Sequence, residues 1–274
     1  MGDADQSRDV FGVLIDTDTQ ALQIESLHPS MTGTLLVSEV FGPTIQGEGP
    51  SLGRRCAFLR LGRCNLTCGG PLPGSTWRCD TPYTWDWHGR NGAPYDVTKE
   101  LKRRSLEELA HDLSARDVDM VVISGGEPLL QQRSLWRLLF LCRDHQWNIE
   151  LETNGTIAPM PRIIEEVDQF NVSPKLANSG VPVSRRYVPD ALSALQATGK
   201  AIWKFVCSSA DDLEEVAELY VRPHGLQPIY VMPAGTHVTE IQRHLSVLAD
   251  EVIRRGWNLT TRLHVQLWGS RRGV

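Results

Sequence analysis

MVVISGGEP, residues 120–128, runs an apolar stretch straight into a serine, two glycines, a glutamate and a proline. A run this short, rich in β-branched residues and stopped by Gly-Gly, reads as a buried strand ending in a loop. The pattern recurs along the chain. AFLRLG (57–62), IELET (149–153), FNVS (170–173), IWKFV (202–206), IYVMP (229–233) and LHVQL (263–267) are further apolar runs of strand length. Between most of them lie segments with helical spacing. SLEELAHDLSA (105–115) opens with Ser105 and carries Glu108 three residues on, a capping box ahead of Leu109 and Leu113. RSLWRLLFLCRDH (133–145), DDLEEVAELY (211–220) and HVTEIQRHLSVLADEVIRRG (237–256) continue the alternation. Strand and helix in turn imply parallel βαβ units with right-handed crossovers, and six or seven of them suggest a complete or partial (β/α) barrel.

The chain has 274 residues, 41% apolar and 22% charged, with a net charge of −5. That composition suits one α/β domain of barrel size and leaves no broad basic field for a nucleic-acid backbone. The two arginines of the tail, Arg271 and Arg272, make no binding stripe. Residues 1–35 lack periodicity and read as a partly ordered extension before a core of residues 36–274. The polar, acidic start has no signal-peptide character, and no apolar run approaches the roughly 18 residues of a membrane span. A cytoplasmic protein with reduced thiols is expected. Cys56, Cys142 and Cys207 read as apolar packing. Eight tryptophans, Trp85, Trp87 and Trp203 among them, read as core and pocket packing before base-stacking platforms.

In parallel α/β architectures the chemistry sits at the C-terminal ends of the strands. Four successive predicted strand ends here carry unusual loops: CNLTC…C after AFLRLG, SGGEP (124–128), ETNG (152–155) and SPK (173–175). Gly125 and Gly126 permit close backbone approach, and Glu127 offers a carboxylate to an amino group. Taken alone, that stretch is also compatible with a plain turn. Glu152, Thr153 and Asn154 offer hydrogen bonds to ribose hydroxyls, or simply form a polar strand end. Cys64, Cys68 and Cys79 leave two chemistries open. They can hold three irons of a 4Fe–4S cubane and leave the fourth free, or form a zinc site completed by His88 or a distant ligand.

Together these residues resemble the radical S-adenosylmethionine superfamily, in which three cysteines hold a 4Fe–4S cluster whose open iron is chelated by the cofactor. The usual third spacing is two residues. Here ten separate Cys68 from Cys79, and Arg78 stands where an aromatic is expected, with Trp77 one position earlier. A hairpin-like excursion can preserve the cysteine geometry, since loop closure costs only slightly more with length. EVFGPTIQGEGPSLGRRCAFLRLGRCNLTC (39–68), CDTPYTW (79–85), ISGGEPLLQ (123–131), ETNGT (152–156) and NVSPK (171–175) resemble the 7-carboxy-7-deazaguanine synthases of queuosine and 7-deazapurine biosynthesis. The resemblance runs from about Val37 to the C-terminus and does not account for the extension or the loop insertion.

The resemblance implies a lyase reaction. A 5′-deoxyadenosyl radical takes hydrogen from C6 of 6-carboxy-5,6,7,8-tetrahydropterin, the ring contracts, and ammonia is lost. It implies a 4Fe–4S cluster on Cys64, Cys68 and Cys79, S-adenosylmethionine, and Mg²⁺ on Thr81. Cofactor contacts fall on Gly125, Gly126, Glu127, Glu152, Asn154, Ser173, Pro174 and Lys175. Substrate contacts fall on Ile45, Gln46, Gly47, Glu48, Arg60 and Ser124, with Arg60 on the substrate carboxylate. A flavodoxin or ferredoxin as reductant and a homodimer are also implied, as is a C-terminal end that folds toward the site. Two other readings remain at this point: a radical activase acting on a partner protein, and a zinc-stabilised module without catalysis.

Overall fold

A computed structural model describes residues 33–70 and 72–274 of the chain. Residues 1–32 of the expected extension lie outside the described residues. Thr34 and Leu35, assigned to that extension by pattern, instead open the first strand, with Leu35 fully buried.

Among the described residues nine strands form one open sheet: β1 (Thr34–Ile45), β2 (Arg55–Leu61), β3 (Lys102–Ser105), β4 (Met120–Gly125), β5 (Asn148–Thr153), β6 (Gln169–Val172), β7 (Ala201–Cys207), β8 (Ile229–Pro233) and β9 (Asn258–Leu259). Their order is β3-β1-β2-β4-β5-β6-β7-β8-β9. From β2 onward every neighbour in that order is parallel, while β1 runs antiparallel to both β2 and β3. The result is a partial barrel, as the alternation of strands and helices implied. The antiparallel pair at one edge is what the expectation of purely parallel units missed.

Two of the connecting helices follow their sequence cues closely. In the helix Leu106–Ser114, Ser105 Oγ accepts from Glu108 N at 3.2 Å and the Glu108 carboxylate accepts from Ser105 N at 3.0 Å. This satisfies donors that helical hydrogen bonding leaves orphaned. The helix Val238–Arg254 buries Ile241, Leu248 and Val252 on one face. Among the described residues no helix is long and apolar enough to cross a membrane.

Alternation along the strands sets up the site. Ala57, Leu59, Leu61, Val121 and Ile123 face outward into the main core beneath the helices. Phe58 and Val122 face inward and, with Cys56 and Met120, pack against Phe41 as an apolar floor. Two residues further along, the inward positions turn polar: Arg60 on β2 and Ser124 on β4, which are register partners. Glu152, Asn171 and Lys204 continue that ring on β5, β6 and β7.

LHVQL is a correction. Residues 263–268 form a helix, not a strand. The sheet already ends at β9, after which the chain turns back across the barrel mouth, with Leu263 N donating to Gly47 O at 2.9 Å. Only Val265 of its apolar residues is buried and Leu267 is exposed, so the alternation there reflects no sheet face.

Candidate active site

The four loops expected to share one mouth do so. They surround a cavity of about 550 Å³, and Cys64, Cys68, Cys79, Gly125, Gly126, Glu152, Asn154, Ser173 and Lys175 all line it. The extra residues between Cys68 and Cys79 leave the barrel as a short hairpin. Gly69 and Arg78 pair as an antiparallel bridge, which sets Cys68 and Cys79 side by side at its base. The excursion docks on the segment after β6: Gly69 N donates to Ser179 O at 2.8 Å, Thr76 N to Asn178 O at 2.9 Å, and Trp77 Nε1 to Asn178 Oδ1 at 2.9 Å. The insertion therefore lengthens the loop while its two ends stay paired at the base.

All six cysteines are free thiols, and Cys56, Cys142 and Cys207 are buried in apolar surroundings as expected. Burial pushes the Cys64 thiol up to about 12 and raises Cys68 and Cys79 in the same direction. Trp85 Nε1 donates to Cys79 Sγ at 3.4 Å, and Leu66 N to Cys64 Sγ at 3.4 Å. These donors suit sulfurs that become thiolates when metal binds. His88 is exposed and stands outside the cavity wall, so it does not complete a tetrahedral zinc site. Among the described residues no three His, Cys, Asp or Glu side chains converge on a single-ion site. Three soft donors lining one cavity suit an iron–sulfur cluster.

The glycine pair explains how the loops meet. A Cβ on Gly125, which has φ +140°, would lie 2.1 Å from Leu61 O, and one on Gly126 would lie 2.0 Å from Arg63 O and 3.0 Å from Cys64 Cβ. Both glycines are needed for the cysteine loop to approach this closely.

Glu127 is a correction. Its side chain is fully buried and accepts from Leu129 N at 3.0 Å, Asn154 N at 2.7 Å and Thr153 Oγ1 at 2.9 Å. Burial pushes its pKa up. The carboxylate ties the GGEP loop to the ETNG loop and is spent there, so it does not reach an amino group in the cavity. Ile45, Gly47 and Pro174 also fall outside the cavity lining. Ile45 ends β1, Pro174 is buried against Gly155, and Gly47 lies under the ring of His264, which takes the cavity position itself. Asn154 lines the cavity with its amide engaged, donating to Asn65 Oδ1 at 2.8 Å and accepting from Thr156 Oγ1 at 2.6 Å.

On the inner face, Arg60 Nε donates to Glu39 Oε1 at 2.7 Å, and Nη1 reaches Ser124 Oγ at 3.5 Å. Ser124 Oγ in turn donates to Glu152 Oε2 at 2.6 Å. Glu48 accepts from Lys204 Nζ at 2.5 Å and Arg262 Nε at 3.1 Å, and Lys204 lies 3.7 Å from Glu152. Burial opposes ionisation of Glu48, but Lys204, Arg262 and His264 more than offset it, holding its carboxyl well below the usual carboxylate range. Arg262 also pairs with Asp80 of the cysteine loop. Gln46 is fixed from both ends, donating to Glu150 Oε2 at 3.3 Å and accepting from Glu48 N at 3.3 Å. Thr81 lines the cavity with its hydroxyl 3.7 Å from Cys79 Sγ.

Sequence reasoning missed Glu39, Asp80, Glu150, Asn171, Lys204 and Arg262. Glu150 and Lys204 were detectable as charges inside apolar strand runs, Glu150 beside Glu152 and Lys204 alone, at positions that alternation turns inward. Arg262 left no local trace, since only long-range packing brings it to Glu48.

A partial parallel barrel that gathers three free thiols and a glycine-lined cradle at its strand ends is the architecture of a radical S-adenosylmethionine enzyme. Comparisons with known proteins narrow the class. Residues 45–184 match the family model described as a 4Fe-4S single cluster domain. The 7-carboxy-7-deazaguanine synthase of Pyrobaculum aerophilum is 36% identical over 248 residues, covering 89% of this chain and 99% of that protein. The synthase of Bacillus subtilis is 30% identical over 254 residues, covering 87% and 98%. The crystal structure of QueE from Escherichia coli shares the fold, with a TM-score of 0.61, 24% identity, and coverage of 84% of this chain and 95% of that one. The chain belongs to the 7-carboxy-7-deazaguanine synthase family.

Proposed function

We propose that this enzyme converts 6-carboxy-5,6,7,8-tetrahydropterin to 7-carboxy-7-deazaguanine with loss of ammonia. The observation that carries this reading is the ring of charged side chains above the apolar floor, facing the three thiols across one cavity. Cys64, Cys68 and Cys79 would hold the 4Fe–4S cluster, with Gly125, Gly126, Ser173 and Lys175 beside S-adenosylmethionine. Bound together, cluster and cofactor supply the one-electron chemistry that removes a hydrogen atom from the substrate.

The chain's own residues bind and orient. The Nε edge of Arg60 is already taken by Glu39, so a substrate carboxylate meets the two Nη nitrogens end-on. Glu48 and Glu152 present acceptors to the donor-rich edge of a pterin, and Lys204 stands between them, bonded to Glu48 and 3.7 Å from Glu152. Phe58 and Val122 exclude water from below. Arg60→Lys keeps the charge and loses the fork, so kcat/KM is expected to fall roughly 10- to 100-fold with cluster content unchanged. Wild-type turnover of the carboxylated pterin tests the assignment. Cofactor cleavage without any deazaguanine would favour the activase reading.

Mg²⁺ on Thr81 is a further part of the proposal. A hard cation prefers oxygen and retains several waters, and the Thr81 hydroxyl faces the cavity beside Cys79. In Thr81→Val, which is nearly isosteric, magnesium stimulation should weaken while iron and sulfide content stay at wild-type levels. Unchanged magnesium dependence would remove Thr81 as a ligand. A flavodoxin or ferredoxin reductant and a homodimer are carried over from the family resemblance.

A further inference from the structure

The C-terminal residues Gly269–Val274 line the cavity. Their anchor is Arg272. Its Nε donates to Glu39 Oε2 at 3.0 Å and its Nη1 to Glu100 Oε2 at 2.7 Å, and its guanidinium carbon sits 3.6 Å from the centroid of the Tyr83 ring. The other oxygen of the same carboxylate, Oε1, accepts from Arg60 Nε at 2.7 Å and from Tyr83 Oη at 3.0 Å. One side chain, Glu39, therefore holds both the arginine at the back of the cavity and the segment across its mouth.

We infer that Glu39 is a positioning residue that couples closure of the segment 269–274 to the orientation of Arg60. The inference rests on Arg60 as the anchor of the substrate carboxylate. Glu39 and Arg60 are each 15% exposed, whereas Arg272 is 39% exposed, so the two pairs differ in kind. The Arg60 pair is shielded from solvent and permanent. The Arg272 pair is wet, screened by salt and able to open. When the segment opens, Oε2 is released to water while Oε1 keeps the Nε edge of Arg60 in place, with its Nη nitrogens facing the cavity. When substrate enters, its carboxylate offsets the charge of Arg60, and Arg272 closes on the freed Oε2. Each half of this exchange favours the other, so the two are reciprocally linked.

Glu39→Gln, Arg272→Ala and the double variant test this on the reconstituted enzyme. Glu39→Gln should raise KM for the carboxylated pterin on the order of 10-fold while kcat falls less than about 3-fold. Arg272→Ala should raise KM about 3-fold, and the double variant should lose less than the two single losses combined, because the Glu39–Arg272 contact is shared while those of Arg272 to Glu100 and Tyr83 are not. Trypsin cleavage after Arg271 should be faster in Glu39→Gln than in wild type, and substrate should slow it in wild type only. Cluster content and cofactor cleavage without pterin should stay at wild-type values. Additive losses in the double variant, or tail cleavage unaffected by Glu39→Gln, would overturn the coupling. The Arg60→Lys variant separates the two assignments. If it leaves KM unchanged, the anchor reading fails. If it raises KM while Glu39→Gln does not, only the role of Glu39 fails.

Discussion

Cys64→Ala, Cys68→Ala and Cys79→Ala are each expected to come out of anaerobic reconstitution without the brown absorbance near roughly 400 nm that marks a cluster of about four irons. Cys142→Ala should keep it. The contrast follows from position. Cys142 is 3% exposed at the end of the helix Gln132–Leu141 and packs in the main core, while the other three line one cavity. Loss of any one of three ligands leaves two, too few to retain an exchangeable cluster, so the effect should be all or none. Cys79→Ala is the informative member, because ten residues separate Cys79 from Cys68. Full iron and sulfide in that variant would mean that the bridge between Gly69 and Arg78 does not bring the third ligand to its place.

Lys204→Met should cost stability as well as activity. Lys204 is 4% exposed, bonded to Glu48 and 3.7 Å from Glu152. Methionine fills the space and leaves two carboxylates facing a low-dielectric cavity without their shared cation. Breaking a buried pair outright costs about 3–5 kcal/mol, and because Arg262 stays bonded to Glu48 the expected loss lies toward the lower end of that range. The pH dependence has a defined sign. The carboxyl of Glu48 is depressed, so its contribution is full above the ordinary carboxylate range and is lost only as pH falls well below it. Lys204 is raised, with burial opposed by Glu48 and Glu152, so its share is lost only above the ordinary lysine range. From neutral pH to the ordinary lysine range the stability gap between wild type and Lys204→Met should be flat, and it should narrow at lower pH as the buried Glu48 of the variant, no longer opposed by Lys204, takes up a proton. Denaturant unfolding at several pH values checks this, and a gap below 1 kcal/mol would argue that water already screens the pair.

Much of the barrel was legible because its strands are short apolar runs with turn residues after them, and the strand ends carried the loops that matter. MVVIS, IELET and IWKFV lie where their pattern put them. LHVQL is the exception. Five alternating residues read as a strand, but after β9 the chain turns back across the barrel mouth as a short helix and adds no further strand to the sheet. Candidate site residues separated along similar lines. Backbone requirements were visible, since Gly125 and Gly126 mark a close approach whatever the ligand. Side-chain roles were less so, because a carboxylate such as Glu127 looks the same in sequence whether it meets a ligand or ties two loops together. Glu39 and Arg262 act through partners 21 to more than 200 positions away, and no local pattern encodes those pairings.

Substrate labelled with deuterium at C6 provides the most direct measurement of the central claim. The reconstituted, reduced enzyme should convert labelled 6-carboxy-5,6,7,8-tetrahydropterin to 7-carboxy-7-deazaguanine in molar excess over the S-adenosylmethionine supplied. Deuterium should appear at the 5′ position of the recovered cofactor. Cofactor cleavage by a protein with an intact cluster, with no deazaguanine formed and no deuterium at the 5′ position, would contradict the account.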